Sequence, residues 1–188
     1  ALEGGLVGSE MCIRDRYLSQ HNFDKLIFSY HGIPKRQAKK TDITGAHCFE
    51  NNDCCEVESL GSNDCYKAHT VQSSILIAKE LGLKSSEWEI AYQSRIGPGW
   101  LTPFTDKRLE RLPTEGAKFI GILCPSFISD CLETLEEIDI RGRKTFIDSG
   151  GEKMIYIPCL NESNETIELL ISIVEDAKNF EIKALKTA

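Results

Sequence analysis

The sequence predicts an α/β fold of three layers, a four-stranded parallel sheet with helices on both faces. Three observations lead there. Four short apolar runs lie at 26–30, 88–92, 119–123 and 154–157, each the length of a buried strand and each ended by proline, glycine or a polar turn. Segments of helical period separate most of them. Repeated strand–helix units imply parallel strands joined by right-handed crossovers.

The first run, KLIFSYHGIPKR at 25–36, carries Leu26, Ile27, Phe28 and Tyr30 and stops at His31-Gly32, where Pro34 has no amide hydrogen for a ladder. An imidazole is thus presented just past the carboxyl end of a strand, the edge where ligands bind in open α/β sheets. The plainer reading is a loop histidine satisfied by a backbone partner. Residues 35–41 read as a solvated basic loop. Residues 46–65 have no sustained period and hold Cys48, Cys54, Cys55 and Cys65; so long a connection without structure of its own usually signals function.

Tyr66 to Leu81 reads as a helix, with Val71, Ile75, Ala78 and Leu81 on its apolar side and Gly82 closing it. The second strand, WEIAY, leads directly into Gln93, Ser94 and Arg95. Thr105 or Asp106 is placed to cap a short helix to Leu112. The third strand, 119–123, breaks at Cys124-Pro125. Ser129 or Asp130 then caps a helix with Leu132 and Leu135 on one side and Glu133 and Glu137, four apart, sharing a face. The fourth strand leads through Pro158 to Asn161. A terminal amphipathic helix over 165–177 is expected to bury Ile167, Leu170, Ile171 and Val174, followed by a frayed polar tail at 179–188.

Composition narrows the function. A formal charge of −7 argues against nucleic-acid binding, which favours a basic face. No apolar run approaches the length of about 20 residues needed to span a bilayer, and a cytoplasmic location is expected. No glycine-rich phosphate fingerprint follows any strand. Eight cysteines in such a chain point to metal or redox chemistry before disulfides. Residues 1–16 read unlike the rest; SEMCIRDR resembles a translated sequencing adapter, so a non-native leader is expected there, with the natural domain running over 17–178. The βα order brings His31, Gln93 to Arg95, Cys124 to Glu133 and Cys159 to Asn161 to one sheet edge.

Those residues also carry a resemblance. SYHGIPKR, AYQSRIGPGWLTPFTD, CPSFISDCLETLEEID and GGEKMIYIPCLN, in that order, resemble the second half of ferrochelatase, which inserts ferrous iron into protoporphyrin IX to form haem. The resemblance implies a chelatase-like, Rossmann-like topology. It implies that His31 and Glu133 are the facing pair at the metal-insertion site, with Asp130 and Glu137 as accessory acids. Gln93, Ser94, Arg95 and Trp100 would belong to the porphyrin surroundings. It further implies that an N-terminal half of the same protein is missing and that this piece alone is poorly active. A neutral imidazole suits ferrous iron and can accept a pyrrole proton, while carboxylates suit an incoming hydrated cation. Some family members hold a [2Fe–2S] cluster in an insert of this kind, which points to Cys48, Cys54, Cys55 and Cys65; zinc, with His47 as a further ligand, and unligated thiols are the alternatives. Cys124, Cys131 and Cys159 read as small buried residues. A chelatase for coproporphyrin or another tetrapyrrole or metal, and a non-catalytic iron–sulfur or zinc module, are the rival functions.

Overall fold

Four parallel strands form one sheet in a computed structural model that describes residues 21–50, 54–56 and 59–187, with side chains as far as 178. The expected leader at 1–16 lies outside the described residues. The strands are β1 (Lys25–His31), β2 (Trp88–Gln93), β3 (Phe119–Leu123) and β4 (Lys153–Tyr156). The helices are α1 (Lys35–Lys40), α2 (Tyr66–Glu80), α3 (Thr105–Arg111), α4 (Glu133–Gly142), α5 (Arg143–Asp148) and α6 (Asn164–Thr187). The spatial strand order is β2-β1-β3-β4.

Side-chain alternation along β1 divides the core. Leu26, Phe28 and Tyr30 face one side and pack with Ile77 and Ala78 of α2. Ile27 faces the other and packs with Leu109 of α3, Ile138 of α4 and Phe146 of α5. This is the expected three-layer arrangement. Because β1 is covered on both faces, it reads as a continuous apolar run rather than an alternating one.

Several local expectations are corrected. Residues 35–40 form a helix, because Pro34 pre-sets the turn before it and the amides of Gln37 and Ala38 both reach the Pro34 carbonyl. Thr105 does not cap α3; its hydroxyl is buried and bonds Ser29 Oγ. In α2 the buried residues are Ala68, Thr70, Ser74, Ile77 and Ala78, while Ile75 is exposed: the helix is rotated so that Ser74 meets Tyr30 Oη at 2.8 Å. His31 is the last residue of β1 rather than the first beyond it.

The helix after β3 differs most. α4 is wound as a π-helix and runs straight into α5. Asp130 does not cap it, and Leu132 and Leu135 are exposed; Thr134, Ile138 and Gly142, spaced four apart, are the buried positions. Gly142 is where this helix meets α3: a Cβ there would stand 3.0 Å from Leu109 Cδ1.

α6 continues through Thr187, so residues 179–187 are helical rather than frayed. From 164 to 178 only Thr166 and Leu169 are buried; Ile167, Leu170, Ile171 and Val174 are exposed. The amphipathic pattern is present, but nothing among the described residues covers it.

Phe146 is fully buried between the sheet and α3. Phe146→Ala is expected to lower unfolding free energy by about 3–5 kcal/mol, read as a fall in the urea midpoint at unchanged slope.

Candidate functional site

The strand order creates a crevice before any side chain is considered. The chain leaves β1 towards β2 on one side and leaves β3 towards β4 on the other, so the connections diverge between the carboxyl ends of β1 and β3. Ligand sites of open α/β sheets form at such a switch point. β1 supplies His31 there, and the segment leaving β3 supplies Cys124 through Glu133.

His31 is held by its backbone on both flanks. Its amide donates to Ser126 Oγ at 3.1 Å, and Tyr66 Oη donates to its carbonyl at 2.7 Å. Its ring Nδ1 lies 2.7 Å from the Gly32 carbonyl. A carbonyl only accepts, so Nδ1 carries the hydrogen and the neutral ring keeps its lone pair on Nε2, the form suited to bind a metal or take a proton. Gly32 has to be glycine: a Cβ would sit 2.8 Å from the Gln93 carbonyl and 3.3 Å from Trp100 Cε3. Trp100 is strapped to this turn, since Lys35 and Leu101 amides bond the Gly99 and Ile33 carbonyls across it.

Glu133 opens α4 opposite. The Cys131 thiol, then the Glu133 amide, hold its carboxyl below the ordinary value, with a smaller electrostatic contribution from His31. An acidic carboxyl and an imidazole whose neutral form is held in one tautomer are therefore supplied to the same crevice.

The remaining expected residues are brought to the same edge but are already engaged. Asp130 Oδ1 accepts from Tyr156 Oη and the Cys159 amide, and Oδ2 accepts from Asn161 Nδ2 at 2.8 Å. Burial pushes the Asp130 carboxyl up, but these hydrogen bonds outweigh it and hold the group below its usual value. Glu137 accepts from the Ser94 amide at 2.7 Å and from Ser94 Oγ at 2.6 Å. Arg95 is paired with Asp106 at 2.8 Å and lies over the Phe104 ring. Gln93 is only 2 % exposed, so its side chain faces the interior and not the open crevice. A polar cavity of about 300 Å³ lies beside them, lined by Ser94, Arg95, Asp106, Glu137 and Arg141 among others.

The four cysteines of the insert meet in one buried cluster with Ala38 and Ala68. They form two pairs: Cys48 Sγ and Cys65 Sγ are 3.8 Å apart, and Cys54 Sγ and Cys55 Sγ 3.7 Å. Among the described residues no group of three or more His, Cys, Asp or Glu converges as one metal site. His47 Nε2 is taken up by the Cys54 carbonyl at 2.6 Å. Burial first, and the neighbouring Cys65 next, push the Cys48 thiol up to about 12. Cys124 is buried as expected, whereas Cys131 and Cys159 are half-buried.

Sequence reasoning missed Asp42, the residue that organises this insert. Its carboxylate accepts from the Thr44 amide and hydroxyl and from the amides of His47 and Cys48. The Asp-x-Thr turn signature was there to be read. It also missed Ser29, whose buried hydroxyl meets that of Thr105 at 2.8 Å; a small polar residue inside an apolar strand was the signal.

A family model described as Ferrochelatase matches residues 11–178. The protein named ferrochelatase of Stutzerimonas stutzeri (strain A1501) is 40% identical over 160 residues, 84% of this chain and 47% of that relative. That of Opitutus terrae is 45% identical over 152 residues, 80% of this chain and 44% of the relative. That of Azotobacter vinelandii is 42% identical over 147 residues, 76% and 43%. The chain spans about half the length of the curated relatives it matches.

The four amide and hydroxyl bonds hold the Asp42 carboxyl well below the usual range, first through Thr44 and Cys48. A depressed carboxyl adds stability above its unfolded value of about 3.9 and loses it as pH falls towards the folded value. Hydrogen-exchange protection of the Thr44, His47 and Cys48 amides is therefore expected to fall progressively below about pH 4. Asp42→Asn should lower that protection at neutral pH and flatten its acid dependence.

Proposed function

The chain belongs to the ferrochelatase family, and on that footing we propose that it is the part of a ferrochelatase that carries the metal-inserting pair. The reaction is insertion of ferrous iron into protoporphyrin IX to form haem. The observation that carries the reading is the placement of an Nε2 lone pair on His31 and an ionised Glu133 at the same switch point. Insertion removes two pyrrole protons and strips water from a cation. An imidazole held in one tautomer by Gly32 can accept a proton or ligate iron, and an anionic Glu133 attracts the cation. Trp100, packed against Gly32, offers an aromatic surface beside the histidine for a porphyrin face.

The reading includes a partner. The apolar stripe of α6, Ile167, Leu170, Ile171 and Val174, is exposed in a chain that spans about half of its relatives. It suits the remaining half of a ferrochelatase, which would also close the porphyrin cleft. In this proposal the whole enzyme works in the cytoplasm; among the described residues no helix is long and apolar enough to cross a membrane.

The cysteine insert supports a [2Fe–2S] cluster over zinc. Metal–sulfur bonds of about 2.3 Å in a tetrahedron set thiolates about 3.8 Å apart, and both pairs meet that spacing. One zinc would need all four sulfurs around one point, whereas a two-iron centre takes two thiolates per iron, matching Cys48 with Cys65 and Cys54 with Cys55. His47, held by the Cys54 carbonyl, is not needed as a ligand.

Joined to the remaining half of a ferrochelatase, the chain is expected to insert ferrous iron into protoporphyrin, and alone to be nearly inactive. His31→Ala in the joined protein should reduce turnover by about 10²–10⁴-fold. Preference for coproporphyrin in the same assay would shift the reading to that chelatase; metal binding without porphyrin affinity would leave a non-catalytic module. Purified without oxygen, the chain should hold iron and acid-labile sulfide in equal amounts; zinc without sulfide would make the insert a structural clip.

A further inference from the structure

We infer that Gln93, Ser94 and Glu137 form a clamp that sets where Glu133 stands relative to His31, so that all three are positioning residues rather than groups that meet iron or porphyrin. The inference rests on the His31–Glu133 reading above and adds residues to it.

Gln93 is the ladder neighbour of His31 in the β1–β2 register. Its side chain turns inward. Oε1 accepts from Ser29 Oγ at 2.7 Å and from the Cys124 thiol at 3.4 Å. Nε2 donates to the Glu133 backbone carbonyl at 3.1 Å. One buried amide thus touches β1, the segment leaving β3, and the first residue of α4. His31 is referenced to Gln93 through the sheet, and Glu133 through the Gln93 side chain.

Ser94 grips the same helix one turn on. Its amide and hydroxyl each donate to a different oxygen of Glu137. To do so it takes a φ of +60°, in the left-handed region that a non-glycine residue rarely visits. Backbone strain of that kind persists only where surrounding contacts over-determine it, and the two-pronged bond to Glu137 is such a contact. Residues 133 and 137 are therefore both tied to the end of β2. They bound the first turn of the π-wound segment.

A shape-holding role and an acid role separate cleanly at Glu137. Glutamine can still accept from the Ser94 amide and donate to its hydroxyl, but it carries no charge. The test uses this 188-residue chain, with Co²⁺ absorption titrations for the His31–Glu133 site and hydrogen exchange for the helix. Glu137→Ala is expected to weaken Co²⁺ binding about tenfold or more, as loss of an outer partner does. Glu137→Gln should stay within about twofold of wild type, and His31→Ala should remove the site's signal. In exchange, amides of 134–142 should lose about tenfold protection in Glu137→Ala and less in Ser94→Ala, which keeps the amide bond, and the double variant should lose no more than Glu137→Ala alone. Amides of β1 should not change.

Glutamine as damaging as alanine would make Glu137 a working acid and overturn the proposal. Additive losses, or unchanged exchange over 134–142, would also overturn it. If wild type shows no Co²⁺ signal that His31→Ala removes, the reading of His31 and Glu133 as a metal pair fails, while the exchange cycle still decides whether the clamp exists.

Discussion

The parallel register of β1 against its two neighbours is the constraint on which the site depends. β1 pairs with β2 through His31↔Gln93, while β3 pairs only as far as Phe28↔Leu123. β3 therefore stops three residues short of the end of β1. The backbone leaving it is free to turn over the exposed end of β1, which brings Ser126 to the His31 amide and the Glu133 carbonyl to the Gln93 side chain. A register slip of one residue would turn the inward and outward sets over together, burying the wrong face of every strand. The core thus enforces the site: Leu26, Phe28 and Tyr30 cannot move without exposing themselves.

Under the site the interior is polar, and that is tolerated because it is complete. Thr105, Ser29 and Gln93 link in a buried chain that ends on the Glu133 carbonyl. Among the described residues no buried side-chain nitrogen or oxygen lacks a partner. Such networks rigidify when every member is satisfied and destabilise when one is lost. Asp130 serves the neighbouring connection in the same way, tying the turn after β4 to the segment before α4 through Tyr156 and Asn161. The acids that resemblance would send towards the metal thus meet donors of the protein first.

The cysteine insert obeys a different rule. It has little regular structure, yet Cys48, Cys54, Cys55 and Cys65 are buried. Its order comes from Asp42, whose carboxylate gathers three amides and a hydroxyl at the base of the loop. Gly61 lies against that base, where a Cβ would stand 2.6 Å from Asp42 Oδ1. The loop is therefore shaped from its rim, and the thiols are delivered in pairs.

The strands, their order along the chain, the layer arrangement and the collection of His31, Gln93 and Glu133 at one edge were all legible in the sequence. Strand length and apolar content are local properties, and βα alternation restricts topology to parallel crossovers. The motifs that carry the family resemblance are contiguous, so they too survive without coordinates. What lay beyond the sequence depends on contacts between distant residues. The rotation of α2 was decided by Tyr30 Oη meeting Ser74, and the engagement of Glu137 by Ser94, 43 residues away. The π-winding of α4 leaves its helical pattern nearly unchanged in sequence, because a four-residue spacing fits both windings. α6 shows the converse: its apolar stripe was plain in the sequence, but whether a stripe is buried is a property of what lies beside it. Pattern determined which residues form elements and which chemistry gathers at their ends; only the tertiary structure decided which polar groups are spent holding one another, as Ser94 and Glu137 are.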